Sequence, residues 1–171
     1  MRNSSDQKIY NYFQILKDEI DVVARKKAVE EILKIEESVF LDFVSRALNS
    51  EKDVEILAYT ADMIMKRKIE GRASLILPLL KSSNPVLRGH ICGLLGNSGD
   101  KIAVNMLIDR LKSDESVDVR LTAAHALGKL GDKKAIPDLI EAREHDFSKD
   151  MDGWSVSHQA KMAIEEIEQN S

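Results

Sequence analysis

The sequence is poor in the residues that cross-link or interrupt a chain. Its 171 residues include one cysteine, three prolines and eight glycines. A single cysteine excludes an intrachain disulfide framework and a zinc site built from two or four cysteines. So few prolines and glycines, together with 43% apolar residues, exclude a collagen-like chain and a disordered linker. The composition therefore predicts a globular protein with a sizeable core.

Two further absences concern membranes and nucleic acids. The sequence has no run of about 18 apolar residues, and residues 1–8 lack the apolar stretch of a secretory signal peptide. Residues 1–85 are balanced in charge, whereas residues 86–171 contain 15 acidic and 11 basic residues. A protein that binds nucleic-acid phosphates needs a basic field. We therefore predict a cytoplasmic protein that binds neither membranes nor nucleic acids.

The most informative feature that is present is an internal repeat. Matched residues recur 32 positions apart, as in the pairs Arg88 and Arg120, Gly96 and Gly128, and Gly99-Asp100 and Gly131-Asp132. Within residues 119–130 the apolar positions fall at i, i+4, i+7, i+8 and i+11, which is one stripe of an α-helix. A second helical pattern follows Gly131. The repeating unit is therefore predicted to be a helical hairpin.

The ends of the predicted helices carry suitable capping residues. Gly99 and Gly131 stand where a left-handed residue ends a helix. Asp100 and Asp132 follow them, where a side-chain oxygen can accept hydrogen bonds from the first N–H groups of the next helix. Pro85 fits a first helical turn, because its missing N–H would have no partner within the helix.

Weaker copies of the hairpin extend the pattern on both sides. Residues 156–167 repeat the apolar stripe after an insertion near 146–154, residues 57–65 carry another copy, and residues 25–32 carry a degenerate one. No long alternation of apolar and polar residues predicts a strand. We therefore predict ten helices in five hairpins, at about 6–34, 38–69, 73–97, 101–130 and 133–168.

One repeat contains a recognisable motif. Its residues are Asp114, Val119-Arg120, Ala123-Ala124, Ala126-Leu127-Gly128, Leu130-Gly131-Asp132 and Ala135-Ile136-Pro137. This stretch resembles a HEAT repeat of the short variety first noted in phycobilisome lyases. The copy at 82–107 is similar, with Ser82 in place of the aspartate, and the last copy has Ser157 in place of the arginine. The resemblance implies an all-α α-solenoid, a right-handed superhelix of about five hairpins that forms one domain over residues 1–171.

The resemblance also implies roles for individual residues. The second helix of each hairpin would line the concave surface, and Asp114 and Arg120 would hold the turn and neighbouring repeats together. Arg88 and Arg120 are therefore predicted to form a structural ladder rather than to contact a ligand, through charge-assisted hydrogen bonds to carboxylates or carbonyls.

Positions off the apolar stripe are expected to face a groove. Apolar and aromatic side chains among polar ones are typical of a groove that binds a peptide or a partner helix. Alternatively, the helix phase is shifted by one position and these residues belong to the core. Trp154, in the insertion, either forms an interface hot spot or caps the end of the core. The predicted partner-binding residues are Tyr59, Met63, His90, Leu121, His125, Trp154, His158 and Met162.

No motif indicates catalysis, a metal or a cofactor. Cys92 aligns with Ala124, a small packing position, which predicts a buried and inert thiol. The histidines at 90, 125 and 158 could come from adjacent helices, but they occupy non-equivalent positions in their repeats. Residues 150–153 resemble part of a calcium loop, yet Gln159 stands in place of the closing glutamate. We predict no enzyme activity, no metal and no cofactor.

Three functions follow from these observations. We predict a non-catalytic scaffold or adaptor that binds a protein or peptide partner on its concave face. The alternative, implied by the resemblance, is a bilin lyase-type subunit acting on a tetrapyrrole chromophore. The third, which the charge balance disfavours, is nucleic-acid binding through Lys66-Arg67-Lys68 and Arg72, the one basic cluster. That cluster lies near a predicted helix C-terminus, where cations stabilise the helix dipole without any ligand.

Overall fold

The computed structural model describes residues 4–17, 22–50, 52–67 and 69–170. These residues contain ten α-helices and no strand, apart from one isolated bridge between Lys149 and Ser155. The helices are α1 (Ser4–Lys17), α2 (Val22–Ile32), α3 (Glu37–Ser50), α4 (Val54–Lys66), α5 (Arg72–Ile76), α6 (Pro85–Ser98), α7 (Val104–Ser113), α8 (Val117–Leu130), α9 (Ile136–His145) and α10 (Val156–Gln169). The prediction of an all-α protein with ten helices is confirmed. None of the helices in the described ranges is long and apolar enough to cross a membrane.

The chain divides into two compact units, residues 1–69 and residues 70–171. The N-terminal unit contains α1 to α4, and the C-terminal unit contains α5 to α10. The expectation of one repeat domain over residues 1–171 stays a prediction.

Aromatic packing fixes the core of the N-terminal unit. Phe40 and Phe43 of α3 are fully buried, and the ring of Phe43 stacks on Phe13 of α1 with the centroids 4.8 Å apart. The guanidinium of Arg67, just after α4, lies 4.4 Å from the centroid of Phe40 and donates a hydrogen bond of 2.9 Å to the carbonyl of Ile35. Arg67 therefore helps to close this core.

Helical hairpins stack in order in the C-terminal unit. Helix α8 packs against both α6 and α10, while α7 packs against α9. The second helices approach closely because glycine stands at the contacts. A Cβ atom built on Gly96 would lie 2.7 Å from the Cα of Ala126, and one built on Gly128 would lie 2.9 Å from the Cα of Ala163. Sequential stacking, on which a solenoid depends, is thus present here.

The predicted caps are confirmed. Gly99 and Gly131 have positive φ angles of 71° and 64° and end α6 and α8. Asp100 and Asp132 each accept a hydrogen bond of 3.0 Å from the backbone N–H two residues later. Pro85 is the first residue of α6.

The first helix of the third hairpin is interrupted. Helix α5 ends at Ile76, and a 3₁₀ helix continues over Leu77–Lys81. Pro78 lies at the start of this 3₁₀ segment. Because proline lacks an N–H and clashes with the preceding turn, an α-helix cannot run through it without disruption. The sequence predicted a single helix here and missed the change.

Candidate functional site

The two arginines that recur 32 positions apart, Arg88 and Arg120, form ion pairs between hairpins. Arg88 donates from Nε and Nη2 to the two carboxylate oxygens of Asp114, at 2.7 and 2.6 Å. Arg120 donates from Nε to Asp146 at 2.7 Å. Each arginine also donates from Nη1 to a backbone carbonyl, that of Ser82 or of Asp114. Both ion pairs join residues 26 positions apart, so the predicted structural role of Arg88 and Arg120 is confirmed.

The ladder changes the pKa values of its members. Burial acts to raise the pKa of Asp114, but hydrogen bonds from Arg88 and from the N–H of Ser116 outweigh it and lower that pKa below its usual range. Burial also acts to raise the pKa of Asp146, but hydrogen bonds from Arg120 and Ser148 outweigh it, so that this pKa is lowered too. The hydrogen bond to Asp114 raises the pKa of Arg88. These groups are held charged and are engaged with each other.

The predicted exposure of two site residues is wrong. Met63 has 0% exposed surface and Leu121 has 9%. Met63 belongs to a broad buried face of α4 that also contains Thr60, so the helix phase assigned to this weaker copy was shifted. Leu121 is buried because α8 contacts α6, α7 and α10, which cover more of its circumference than a single stripe.

The other predicted residues reach solvent. Tyr59 is half-buried in the N-terminal unit, where the guanidinium of Arg25 lies 5.9 Å from its ring centroid. His90 is exposed on α6. The remaining residues, His125, Trp154, His158 and Met162, lie together on the C-terminal unit and line one groove.

This groove runs between α8 and α10 and has a volume of about 580 Å³. It is lined by His125 of α8, by Trp154, and by His158, Met162, Glu165 and Glu166 of α10, with Gln159 and Gln169 completing the wall. Trp154 is 59% exposed and Met162 is 47% exposed. The sequence predicted four of these side chains. Glu166 continues the i, i+4, i+8 spacing of His158 and Met162 along α10, and Glu165 stands at i+7. We call this surface the α8–α10 groove.

A tight turn positions Trp154 at the end of the groove. One oxygen of Asp150 accepts hydrogen bonds from the N–H groups of Asp152 and Trp154, at 3.1 and 2.8 Å. Gly153, with φ of 88°, allows the chain to reverse. The backbone N–H of Asp150 also donates to the carbonyl of Trp154 at 3.0 Å. The insertion is therefore an ordered turn. The centroid of the Trp154 ring lies 6.4 Å from that of the His158 ring.

The acidic side chains occupy the C-terminal half of the groove. Glu165 lies 3.8 Å from the Nζ of Lys161 in an exposed pair. The carboxylate of Glu166 lies over α8, with Oε2 2.8 Å from the place that a Cβ on Gly128 would take. Glu166 is half-buried, and its carboxylate has no hydrogen bond or ion pair with the residues that the structure describes. Among the residues that the structure describes, no lysine or arginine lines the groove.

The remaining candidate chemistry is not assembled into a site. In the described ranges, no three histidines, cysteines or acidic residues are grouped so that they could hold a metal ion. Cys92 is fully buried, and burial raises the pKa of its thiol to about 12. Of the predicted basic cluster, Arg67 points into the core of the N-terminal unit, and Lys68 lies outside the described residues.

Part of the chain matches a known protein family. Residues 73–157 match the family model described as HEAT repeats, which covers just under half of the chain. No curated protein matches the sequence. The finer resemblance to phycobilisome lyase repeats stays a prediction. The matched region runs from α5 into α10, where the hairpins stack and the arginine ladder lies, so this part of the chain is similar to HEAT repeats.

Proposed function

We propose that this protein is a non-catalytic scaffold that binds a segment of a partner protein in the α8–α10 groove. HEAT repeats are commonly protein-interaction scaffolds, which supports the general role. The observation that carries the specific proposal is the joint exposure of Trp154 and Met162 at one end of an open groove. Exposed tryptophan beside a pliable methionine is a favourable anchor for a partner.

The use of the titratable groups supports a non-catalytic role. Asp114 and Asp146 are bound by arginines, and the thiol of Cys92 is buried with a raised pKa. A nucleophile or general base needs access to substrate and a pKa suited to the working pH. The cytoplasmic location and the lack of a nucleic-acid partner are sequence-based predictions within this proposal.

The groove favours a protein segment over a bilin. Propionate groups of a tetrapyrrole need cationic partners, whereas the charged side chains that line this groove, beside its two histidines, are Glu165 and Glu166. We therefore expect the absorption spectrum of an added bilin to be unchanged by the protein. A shifted spectrum that depends on Trp154 would favour the lyase-type alternative.

Site-specific crosslinking tests the scaffold proposal. p-Benzoylphenylalanine is incorporated in place of His158, in the groove, or in place of Lys133, an exposed residue that does not line it. Irradiation in the native cells is expected to give a discrete protein adduct from the first position and none from the second. Unlabelled wild-type protein should compete with this adduct, whereas a Trp154→Ala/Met162→Asp variant with unchanged helical circular dichroism should not. Identical adducts from both positions, or none from position 158, would contradict the proposal.

A further inference from the structure

We propose that the partner segment is basic and amphipathic: an apolar side chain rests on Trp154 and Met162, and a lysine or arginine pairs with Glu166. This inference rests on the proposed function and defines the chemistry of the partner. Its basis is that one groove has an apolar end and an acidic end, and that Glu166 at the acidic end has no ion pair with the described residues.

The apolar end is preformed. The hydrogen bonds from the turn to Asp150 fix the backbone of Trp154, and Ser155 caps α10 by accepting a hydrogen bond of 3.1 Å from the N–H of His158. Because the backbone of Trp154 is already ordered, less conformational entropy is lost when a partner covers the side chain. Met162 lies along the same helix face as His158, one turn later, and its flexible thioether can adapt to the shape of the incoming side chain.

The acidic end determines the sign of charge that the partner must carry. Glu165 already has an exposed contact with Lys161, whereas Glu166 has no cationic partner among the described residues. A partner that covers the groove would remove the Glu166 carboxylate from water, which is unfavourable without a counter-charge. A cation from the partner would relieve this cost, and an acidic peptide or a nucleic acid would increase it.

The spacing along α10 limits the arrangement of the partner. Met162 and Glu166 are one turn apart, about 6 Å along the helix axis. The stripe from His158 to Gln169 extends over about 16 Å, three helical turns. A partner helix lying along α10 would therefore carry its apolar and basic side chains one or two turns apart on the same face.

An unbiased peptide selection tests the chemistry. A displayed library of helical peptides, about 14 residues long so that each has four turns, is selected on the immobilised protein. The Trp154→Ala/Met162→Asp variant serves as the counter-selection. We expect the selected peptides to be enriched in lysine or arginine placed one or two turns from an apolar residue. Acidic or uncharged peptides that depend on the groove would overturn this inference while agreeing with the scaffold function.

A selection without any groove-dependent peptide would also overturn the inference. The crosslinking experiment then decides separately whether the groove has a protein partner, so failure of the two proposals can be distinguished. If that experiment gives an adduct from position 158, the scaffold function is retained and only the basic amphipathic partner is rejected.

Matched variants of α10 test whether the carboxylate of Glu166 contacts the bound peptide. Trp154 is the only tryptophan, so the fluorescence of the wild-type protein reports binding of a selected peptide directly. We expect Glu166→Gln to weaken binding about fivefold, the size of effect given by a partly exposed ion pair. Glu168→Gln is the control, since Glu168 is exposed on the same helix but does not line the groove, and it should leave the affinity nearly unchanged. Equal effects of the two variants would contradict a specific contact with Glu166.

Discussion

Arg88 and Asp114 form a bidentate ion pair between neighbouring hairpins. Nε and Nη2 of Arg88, on α6, lie 2.7 and 2.6 Å from the carboxylate oxygens of Asp114, which follows α7. The side chain of Asp114 has 0% exposed surface, and Arg110 contributes a second contact at 3.2 Å. Because the carboxylate is out of reach of water, its charge depends on these arginines for compensation.

Removal of Arg88 is expected to destabilise the fold strongly. Arg88→Ala would leave Asp114 buried with the longer contact to Arg110 as its ion pair and the hydrogen bond from the N–H of Ser116. We expect the free energy of unfolding to fall by about 3 kcal/mol. Urea unfolding followed by circular dichroism measures the change. Lys112→Ala is the control, since Lys112 pairs with Asp138 at an exposed position, and its midpoint should stay close to wild type. Equal decreases in the free energy of unfolding of the two variants would show that the buried ion pair stabilises the fold no more than the exposed one.

The same carboxylates make stability depend on pH in the acid range. The pKa values of Asp114 and Asp146 are lowered in the folded protein, so the folded state releases their protons more readily than the unfolded state does. Their contribution is therefore present above the unfolded carboxyl pKa of about 4 and is lost as the pH falls through the lower folded values. We expect the thermal midpoint to decrease steadily below about pH 4.

Replacing Asp114 by asparagine tests how much of the acid sensitivity comes from this one carboxylate. Asp114→Asn is expected to unfold at a lower temperature at neutral pH, because the ion pair is lost, but to change less on acidification than wild type. Asp152→Asn, at an exposed position of the turn before α10, should keep the wild-type slope. A wild-type slope in Asp114→Asn would mean that Asp114 does not account for the acid sensitivity.

Cys92 offers a chemical measure of global opening. Its thiol is fully buried in α6, and burial raises its pKa to about 12, so both access and thiolate formation are blocked in the folded protein. We expect a disulfide reagent to label Cys92 only through unfolded molecules. Arg88→Ala, if it costs about 3 kcal/mol, should then speed labelling about a hundredfold. Fast labelling with the same rate in both proteins would indicate a local opening around Cys92.

Local signals in the sequence were sufficient for much of the fold. Gly131 and Asp132 act within a few residues of their own position, so the end of α8 and the cap that follows could be predicted from them alone. The ladder was partly predictable. The resemblance assigned a structural role to Arg120, but its carboxylate partner Asp146 lies in the last hairpin, where the motif is weak.

The errors arise where packing from several neighbours decides burial. Leu121 lies off the apolar stripe of α8, yet it is buried because α6, α7 and α10 all pack against α8. The orientation of Trp154 depends on the hydrogen bonds that Asp150 accepts within the turn, which the spacing of polar residues does not reveal. The position of Glu166 over Gly128 depends on how closely α10 approaches α8.

The close approach of α6 and α8 predicts opposite effects for two glycines of the same helix. Replacing glycine by alanine inside a helix ordinarily stabilises it by about 0.5–1 kcal/mol. At Gly93 the new Cβ would lie 3.9 Å from Thr122, an ordinary contact, so Gly93→Ala should raise the unfolding midpoint. At Gly96 the new Cβ would meet the Cα and Cβ of Ala126 at 2.7 and 2.8 Å, so α6 and α8 would have to separate. We expect Gly96→Ala to lower the free energy of unfolding by about 1–3 kcal/mol, as in other overpacked cores, and the midpoint with it. A higher midpoint in both variants would contradict the tight contact.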